Sequence, residues 1–176
     1  HVAALMGLAQ SFEAQGNWQD ASQAWEGAVK GAAVPSPDPY LSWARSLAKS
    51  GPEAIPAALA VLEEAQSVLG TLPALEVYAL ELELEMGALD AALRRLTSII
   101  DGANRPEASW GQRAQLVEEA AQNQAALTDY ARALAAIQAL PAPHRGQPRI
   151  QALEAQCRAG LIRLSTLPDP STGELK

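Results

Sequence analysis

Apolar residues recur along this chain at the spacing of amphipathic helices, and glycines separate one helical pattern from the next. Gly16, Gly51 and Gly87 lie 35 and 36 residues apart. The same apolar frame precedes each glycine, and after each one an alanine is followed four positions later by a large residue. These pairs are Ala21 and Trp25, Ala58 and Leu62, and Ala92 and Leu96. A period of this length predicts stacked helical hairpins.

The pattern predicts four hairpins followed by one amphipathic helix. Gly16 and Asn17 supply the turn of the first hairpin, and the prolines from Pro35 onward end it. We expect hairpins over about 2–34, 38–69, 72–102 and 107–140, and a capping helix over about 148–165. Together they would form a single domain over 1–165. The tail 166–176 has little apolar surface to bury, so we expect it to be flexible.

Two hairpins fit the pattern less well. Pro56 follows Pro52 by four residues, so either the helix begins only there or the intervening residues form a bulged turn. In the fourth hairpin Ala133 is aligned with Ala92, 41 residues earlier. This alignment predicts helices over about 109–127 and 128–140, and it leaves the extra residues to the linker or to a longer helix.

The first helix of the third hairpin carries apolar residues on two opposite faces. Leu75, Ala79 and Leu82 lie on one face, and Leu80 and Leu84 lie on the other. A helix of this kind makes contacts on both sides. It is either a central helix packed between neighbours, or its second face borders a binding groove.

Composition favours helix and restricts the classes of partner. Hydrophobic residues make up 48% of the chain, and the net charge of −7 argues against a general affinity for nucleic-acid backbones. The charge is uneven, at −10 for residues 1–131 and +3 for 132–176. Apolar runs stay well short of the roughly 20 residues that a spanning helix needs, so we expect no membrane insertion by this segment.

The side chains that could support catalysis are few. His1 and His144 lack a Glu or His at helical spacing, and His144 lies in the proline-containing connection 141–148. The glycines are isolated helix terminators, so they form no phosphate-binding loop. Cys157 is the single cysteine and lies on an apolar helical face, where we expect it to be buried. We therefore predict no catalytic residues, no metal site and no cofactor.

The first hairpin resembles the tetratricopeptide repeat. The residues that match its pattern are Leu5, Leu8, Ala9, Phe12, Gly16, Asn17, Trp18, Ala21, Trp25 and Ala28. The second and third hairpins match with short insertions, and the resemblance extends over about 2–140. It implies an all-α fold, a right-handed α-solenoid of tetratricopeptide-like hairpins with a C-terminal capping helix.

The resemblance also implies a binding surface, because proteins of this family bind peptides or protein surfaces in a concave groove lined by the first helix of each hairpin. Carried over position by position, the partner-binding residues are Met6, Gln10, Glu13, Leu41, Arg45, Lys49, Leu80 and Leu84. The register of Leu80 and Leu84 is the least certain. The family's carboxylate-clamp residues are missing, which argues against binding of chaperone tails.

The sequence thus predicts a non-enzymatic scaffold that binds a peptide or protein partner. Ten arginines against three lysines are typical of GC-rich bacteria, where such repeats occur in assembly, envelope and secretion proteins. The alternative is the non-catalytic repeat arm of a larger enzyme, such as a transferase. The chain begins at His1, so we expect an excised segment of a longer protein. Self-association and the choice between cytoplasm and periplasm stay open.

Overall fold

The computed structural model describes residues 1–166, and over that range the chain is helical without strands. The predicted all-α fold class is confirmed. The predicted tail falls outside the described residues, except for Thr166. The helices are α1 (Val2–Ala14), α2 (Trp18–Gly31), α3 (Pro37–Ser50), the 3-10 helix η1 (Pro52–Ala54), α4 (Ile55–Leu69), α5 (Pro73–Glu85), α6 (Leu89–Gly102), α7 (Glu107–Glu119), α8 (Asn123–Ala139), α9 (Ala142–Arg145) and α10 (Pro148–Ser165).

These helices group into two compact units that divide within α6. Unit 1 comprises residues 1–92, and unit 2 begins at Leu93. In unit 1, α1 packs on α2, α2 on α3, α3 on α4, and α5 on both α3 and α4. This order is that of consecutive helical hairpins. The single domain over 1–165 stays a prediction.

Small residues set the contact between the two helices of each hairpin in unit 1. Ala21 and Ala58 are fully buried, so the helix backbones approach closely at these positions. Trp25 and Leu62, one turn later, are also buried and fill the space beside them. The predicted alternation of small and large residues is confirmed by this burial.

Two of the hairpin turns are built on a glycine in the left-handed conformation. Gly16 and Gly87 have φ angles of 76° and 70°. In each turn the following N–H donates back to a carbonyl five residues earlier: Asn17 N to Phe12 O at 2.9 Å and Ala88 N to Glu83 O at 2.8 Å. This is a Schellman motif, which satisfies carbonyls left open at a helix end.

The fourth hairpin has the same turn with an alanine at the glycine position. Ala121 has a φ of 57°, and Gln122 N donates to Val117 O at 2.8 Å. The predicted helices over 109–127 and 128–140 are therefore wrong, because α7 ends at Glu119 and α8 begins at Asn123. Ala121 follows Gly87 by 34 residues.

The small and large residues of the fourth hairpin shift with its turn. Ala126 and Tyr130 stand at the same distances from Ala121 as Ala21 and Trp25 from Gly16, and both are buried. They replace the predicted frame at Ala133, which lies two turns further along α8. No residues need to be absorbed by the linker, because the repeat length is regular from Gly87 onward.

The second hairpin has a different turn, and this resolves the placement of Pro56. Gly51 has φ 156° and ψ 158°, and the chain then forms η1 before α4 begins at Ile55. Pro56 lies in the first turn of α4, where a missing N–H costs no hydrogen bond. Both alternatives are therefore partly correct: there is an inserted turn, and the helix begins next to Pro56.

In unit 2, α10 packs on α8 and α7, as predicted for a capping helix. The contact is close, since a Cβ added at Gly160 would overlap the Tyr130 ring. Cys157 is buried in this core, as predicted. His144 lies in the short helix α9 and not in a loop, and it is exposed.

We predict that Ala121→Gly stabilises the protein, because glycine removes the steric cost of a left-handed alanine, about 1 kcal/mol. Denaturant unfolding monitored by circular dichroism would measure the gain. Ala120→Gly is the matched control, since Ala120 has a φ of −80° and gains nothing from glycine. Equal effects of the two substitutions would contradict the left-handed turn at Ala121.

Candidate protein-interaction face

The first helices of the hairpins in unit 1 lie side by side. Ser46 Oγ on α3 donates to Glu13 Oε1 on α1 at 2.9 Å. On the other side of α3, the Arg45 guanidinium lies 5.5 Å from the centre of the Tyr78 ring on α5. We call the surface formed by α1, α3 and α5 the first-helix face, and these three helices carry all eight residues predicted to bind a partner.

Of the three residues predicted on α1, two are accessible to a partner and the third is already hydrogen-bonded within the protein. Gln10 is exposed and Met6 is half-buried. Glu13 accepts hydrogen bonds at 2.9 Å from the Trp25 indole N–H and from Ser46. Glu13 therefore joins α1 to α2 and to α3, and its carboxylate already has partners within the protein.

On α3, Leu41 is only 8% exposed and belongs to the core of unit 1, so its predicted contact with a partner is corrected. Arg45 and Lys49 are exposed. The Lys49 ammonium lies 4.4 Å from the centre of the Trp18 ring, and Arg45 lies over Tyr78. Both cations are thus held against aromatic faces.

On α5, Leu80 is buried at 4% exposure and Leu84 is half-buried. Counting back from Gly87 as from Gly16 explains this, because Leu80 takes the place of the fully buried Ala9. Leu80 is therefore a packing residue, and its predicted role in binding is corrected. The burial of the second apolar face at Leu80 favours the central-helix interpretation of α5.

The same count identifies two face residues that the sequence analysis missed. Val77 and Glu81 precede Gly87 by ten and six residues, as Met6 and Gln10 precede Gly16. Both are exposed, Val77 at 47%. The constant distance to the turn glycine was the available signal, whereas the alignment by apolar residues selected Leu80, one residue before Glu81.

The charges on the first-helix face stand out against an acidic background. Unit 1 has three basic and twelve acidic residues. Lys30 forms an ion pair with Glu26 on α2, whereas Arg45 and Lys49 lie over the rings of Tyr78 and Trp18. Burial raises the pKa of Tyr78 against the opposing effect of Arg45, so the phenol remains neutral below its cation.

Unit 2 repeats the glutamate interaction seen at Glu13. Glu118 stands three residues before Ala121, as Glu13 does before Gly16. It accepts a hydrogen bond from the Tyr130 hydroxyl at 2.7 Å and two from the Arg163 guanidinium at 2.7 and 2.8 Å. Each glutamate thus joins the second helix of its own hairpin to the helix that packs next, and we call this arrangement the glutamate clamp.

Ionisation of Glu118 is coupled to the clamp. Its hydrogen bonds from Arg163 hold the pKa of the Glu118 carboxyl below its usual range, and the bond from Tyr130 acts in the same direction. Burial and the neighbouring Glu118 raise the pKa of the Tyr130 phenol. Glu118 is therefore a carboxylate and Tyr130 a hydrogen-bond donor at neutral pH.

The described residues offer little for other chemistry. Residues 1–166 contain no group of three or more His, Cys, Asp and Glu side chains placed to hold a metal ion. None of the helices in this range has both the length and the apolar character needed to cross a bilayer. Burial raises the pKa of Cys157, which keeps its thiol protonated and weakly nucleophilic.

Comparisons with solved structures identify the fold. The chain is similar to a tetratricopeptide repeat protein from Parabacteroides merdae ATCC 43184, at 14% identity and a TM-score of 0.65, over 93% of this chain and 63% of that one. It is also similar to MamA protein, at 13% identity, a TM-score of 0.58, and 99% and 96% coverage. A putative kinesin light chain from Podosopora anserina with nearly identical TPR-like repeats gives 16% identity and a TM-score of 0.54, over 94% and 97% of the two chains.

No protein-family model and no curated protein matches the sequence. The chain spans less than two thirds of the Parabacteroides protein. At these identities the similarity concerns the fold, which is that of tetratricopeptide repeat proteins, as the resemblance of the first hairpin implied.

We predict that Glu118→Gln lowers the free energy of unfolding at pH 7 and loses this effect in acid. The folded-state pKa is lowered, so the clamp stabilises the protein above the unfolded pKa of about 4.3 and this contribution disappears as the pH falls through the folded value. Urea unfolding across this pH range would measure it. Glu119→Gln, at the exposed neighbouring residue, is the control. If Glu118→Gln lowered the free energy of unfolding equally at all pH values, the result would contradict the charged clamp.

Proposed function

We propose that this chain is a non-catalytic protein-interaction module whose first-helix face binds a peptide or protein segment. The fold supports an interaction role, since tetratricopeptide hairpins present a continuous face of first helices. A place within a larger bacterial assembly, envelope or secretion protein is part of the same proposal. It rests on the arginine-rich composition alone.

The observation that carries the proposal is the pair of exposed cations on α3. Arg45 and Lys49 are one helical turn apart, and each lies over an aromatic ring contributed by another helix. A side chain held in place before binding loses less conformational entropy when it meets a partner. Both residues are also exposed, so an acidic group of a partner can reach the two cations.

The chemistry of the face defines the partner. The Cβ atoms of residues at i and i+4 on a helix lie about 5–6 Å apart, so Arg45 and Lys49 project from neighbouring positions that acidic side chains of one segment can reach. Val77 and Met6 supply apolar surface on the flanking helices. We therefore expect a segment with an acidic pair and one large apolar residue. The apolar residue would contribute about 1.5–3 kcal/mol, and the charges would mainly set register and association rate.

We predict that Arg45→Glu and Val77→Asp each weaken binding of such a segment by about tenfold or more. A displayed library of random peptides would provide the ligand, and fluorescence anisotropy of the selected peptides would give the dissociation constants. Circular dichroism should remain unchanged, since both side chains are exposed. Leu80→Asp, in contrast, should impair folding because Leu80 is buried.

Two substitutions elsewhere on unit 1 serve as matched controls. Lys30→Glu reverses a charge on α2, and Val68→Asp changes a half-exposed valine on α4. Both should leave affinity unchanged. Selected peptides that lack acidic residues, or that bind the Arg45 and Val77 variants as well as the parent, would remove the support for this face.

A further inference from the structure

Glu107, in the first turn of α7, is a buried carboxylate with hydrogen bonds to only one of its two oxygens. The residue is 3% exposed. Arg105 donates to Oε1 from Nε at 3.1 Å and from Nη2 at 2.8 Å. Within the described residues, Glu107 Oε2 has no hydrogen-bond partner. Because a buried carboxylate oxygen without a donor is unfavourable, a donor from outside the chain would be bound there with a gain in free energy.

Packing of the hairpin does not require a glutamate at this position. Glu107 precedes the turn residue Ala121 by 14 residues. At the same distance before the turn glycines of the first three hairpins stand Val2, Pro37 and Pro73, which are all apolar. The repeat pattern therefore gives no reason for a carboxylate here, and its role has to be sought in what surrounds it.

Glu107 lines a cavity of about 550 Å³ between the first turns of α7 and α10. The apolar part of its wall includes Ile150 and Leu153 on α10. Leu153 also packs closely on α7, since a Cβ added at Gly111 would lie 2.8 Å from Leu153 Cδ1. The volume lies within the range of small-molecule sites, roughly 300–1,000 Å³. The cavity thus combines an apolar wall with a buried oxygen that needs a donor.

The other polar residues of the cavity are cationic or neutral. Arg105 and Arg149 line it and are exposed, as are the amides Gln147 and Gln156. The first turns of α7 and α10 add the positive ends of two helix dipoles. A ligand that is only a cation would be repelled by these charges, and one that is only an anion would leave Glu107 Oε2 without a donor. The cavity therefore suits a ligand that carries both charges.

We propose that this cavity binds a small zwitterion with an apolar body, such as an α-amino acid or a short peptide, and we call it the zwitterion site. The ligand's ammonium donates to Glu107 Oε2, its carboxylate pairs with Arg149, and its apolar part packs on Leu153. The site lies in unit 2 and goes beyond the proposed function, which concerns the first-helix face of unit 1.

Arg105 controls access to the buried oxygen. Its side chain is 46% exposed, whereas that of Glu107 is 5% exposed. An ion pair with one partner so exposed contributes little to stability. Arg105 can therefore move aside as the ammonium of the ligand enters, and its guanidinium then becomes available to the ligand's carboxylate beside Arg149.

The test is a nuclear magnetic resonance titration of the ¹⁵N-labelled protein with L-leucine and, separately, with leucyl-leucine. We expect amide resonances of residues 105–108 and 147–156 to shift, with a dissociation constant on the order of 0.1–1 mM. The two probes distinguish the sources of the zwitterion. Tighter binding of leucine would indicate a free amino acid, and tighter binding of leucyl-leucine would indicate a short peptide.

Modified probes test the two charges of the ligand one at a time. N-acetylation of the tighter probe removes its ammonium, and amidation removes its carboxylate. Each change should weaken binding by about tenfold or more, because a charge-assisted hydrogen bond is lost. The apolar body is the same in all three compounds, so its contribution cancels in the comparison.

Variants test the protein side of the same contacts. Glu107→Gln removes the charge at constant size and should weaken binding by about tenfold or more, whereas Glu119→Gln, at an exposed glutamate on α7, should bind like the parent. Arg149→Gln changes an exposed residue and tests the site even if the buried substitution impairs folding. Its matched control is Arg158→Gln, which is also exposed on α10 but does not line this cavity.

Three results would overturn the proposal. One is the absence of shifts with both probes up to about 10 mM, since the expected constant is at least tenfold lower. Another is equal binding of the acetylated and amidated compounds, which would show that the charges do not matter. The third is a set of shifts confined to the first-helix face, which would leave the zwitterion site without a ligand.

Discussion

The structure depends on one steric constraint, the close approach of two helices at an alanine five residues after each left-handed turn. Ala21, Ala92 and Ala126 occupy this position and are fully buried. A larger side chain there would push the helices apart, and the large residue one turn later would no longer reach its cavity. The turn, the alanine and the large residue four positions later therefore depend on one another, because the turn fixes which residue of the second helix faces the first.

The glutamate clamp adds a polar connection at a fixed distance from the same turn. Glu13 and Glu118 come three residues before it, and each receives an aromatic donor from the second helix and a further donor from the helix that packs next. The third hairpin has Leu84 and Leu96 at these two places. Both places are thus apolar in this hairpin, so neither leaves a buried polar group without a partner.

The fold could be predicted from the sequence because the turn glycines, the alanines and the large residues four positions after them recur at a regular spacing. Sequence analysis placed the fourth hairpin wrongly, since an alanine in the left-handed conformation has no signature in the sequence and Ala121 takes the place of a glycine. It also took Leu80 for a surface residue, because apolar character alone does not distinguish a packing position from an exposed one. The rings beneath Arg45 and Lys49 could not be predicted, as each comes from another helix.

Because Cys157 is buried, the rate at which its thiol reacts reports how often the core of unit 2 opens. The chain has a single cysteine, and it lies in the core formed by α7, α8 and α10 with its thiol kept protonated by burial. A thiol reagent can modify it only when that core opens, so the rate of labelling counts the openings of unit 2. The three tryptophans of unit 1, Trp18, Trp25 and Trp43, are untouched by the reagent. Time-resolved mass spectrometry of Cys157 modification would therefore measure the opening rate of unit 2 separately from that of unit 1.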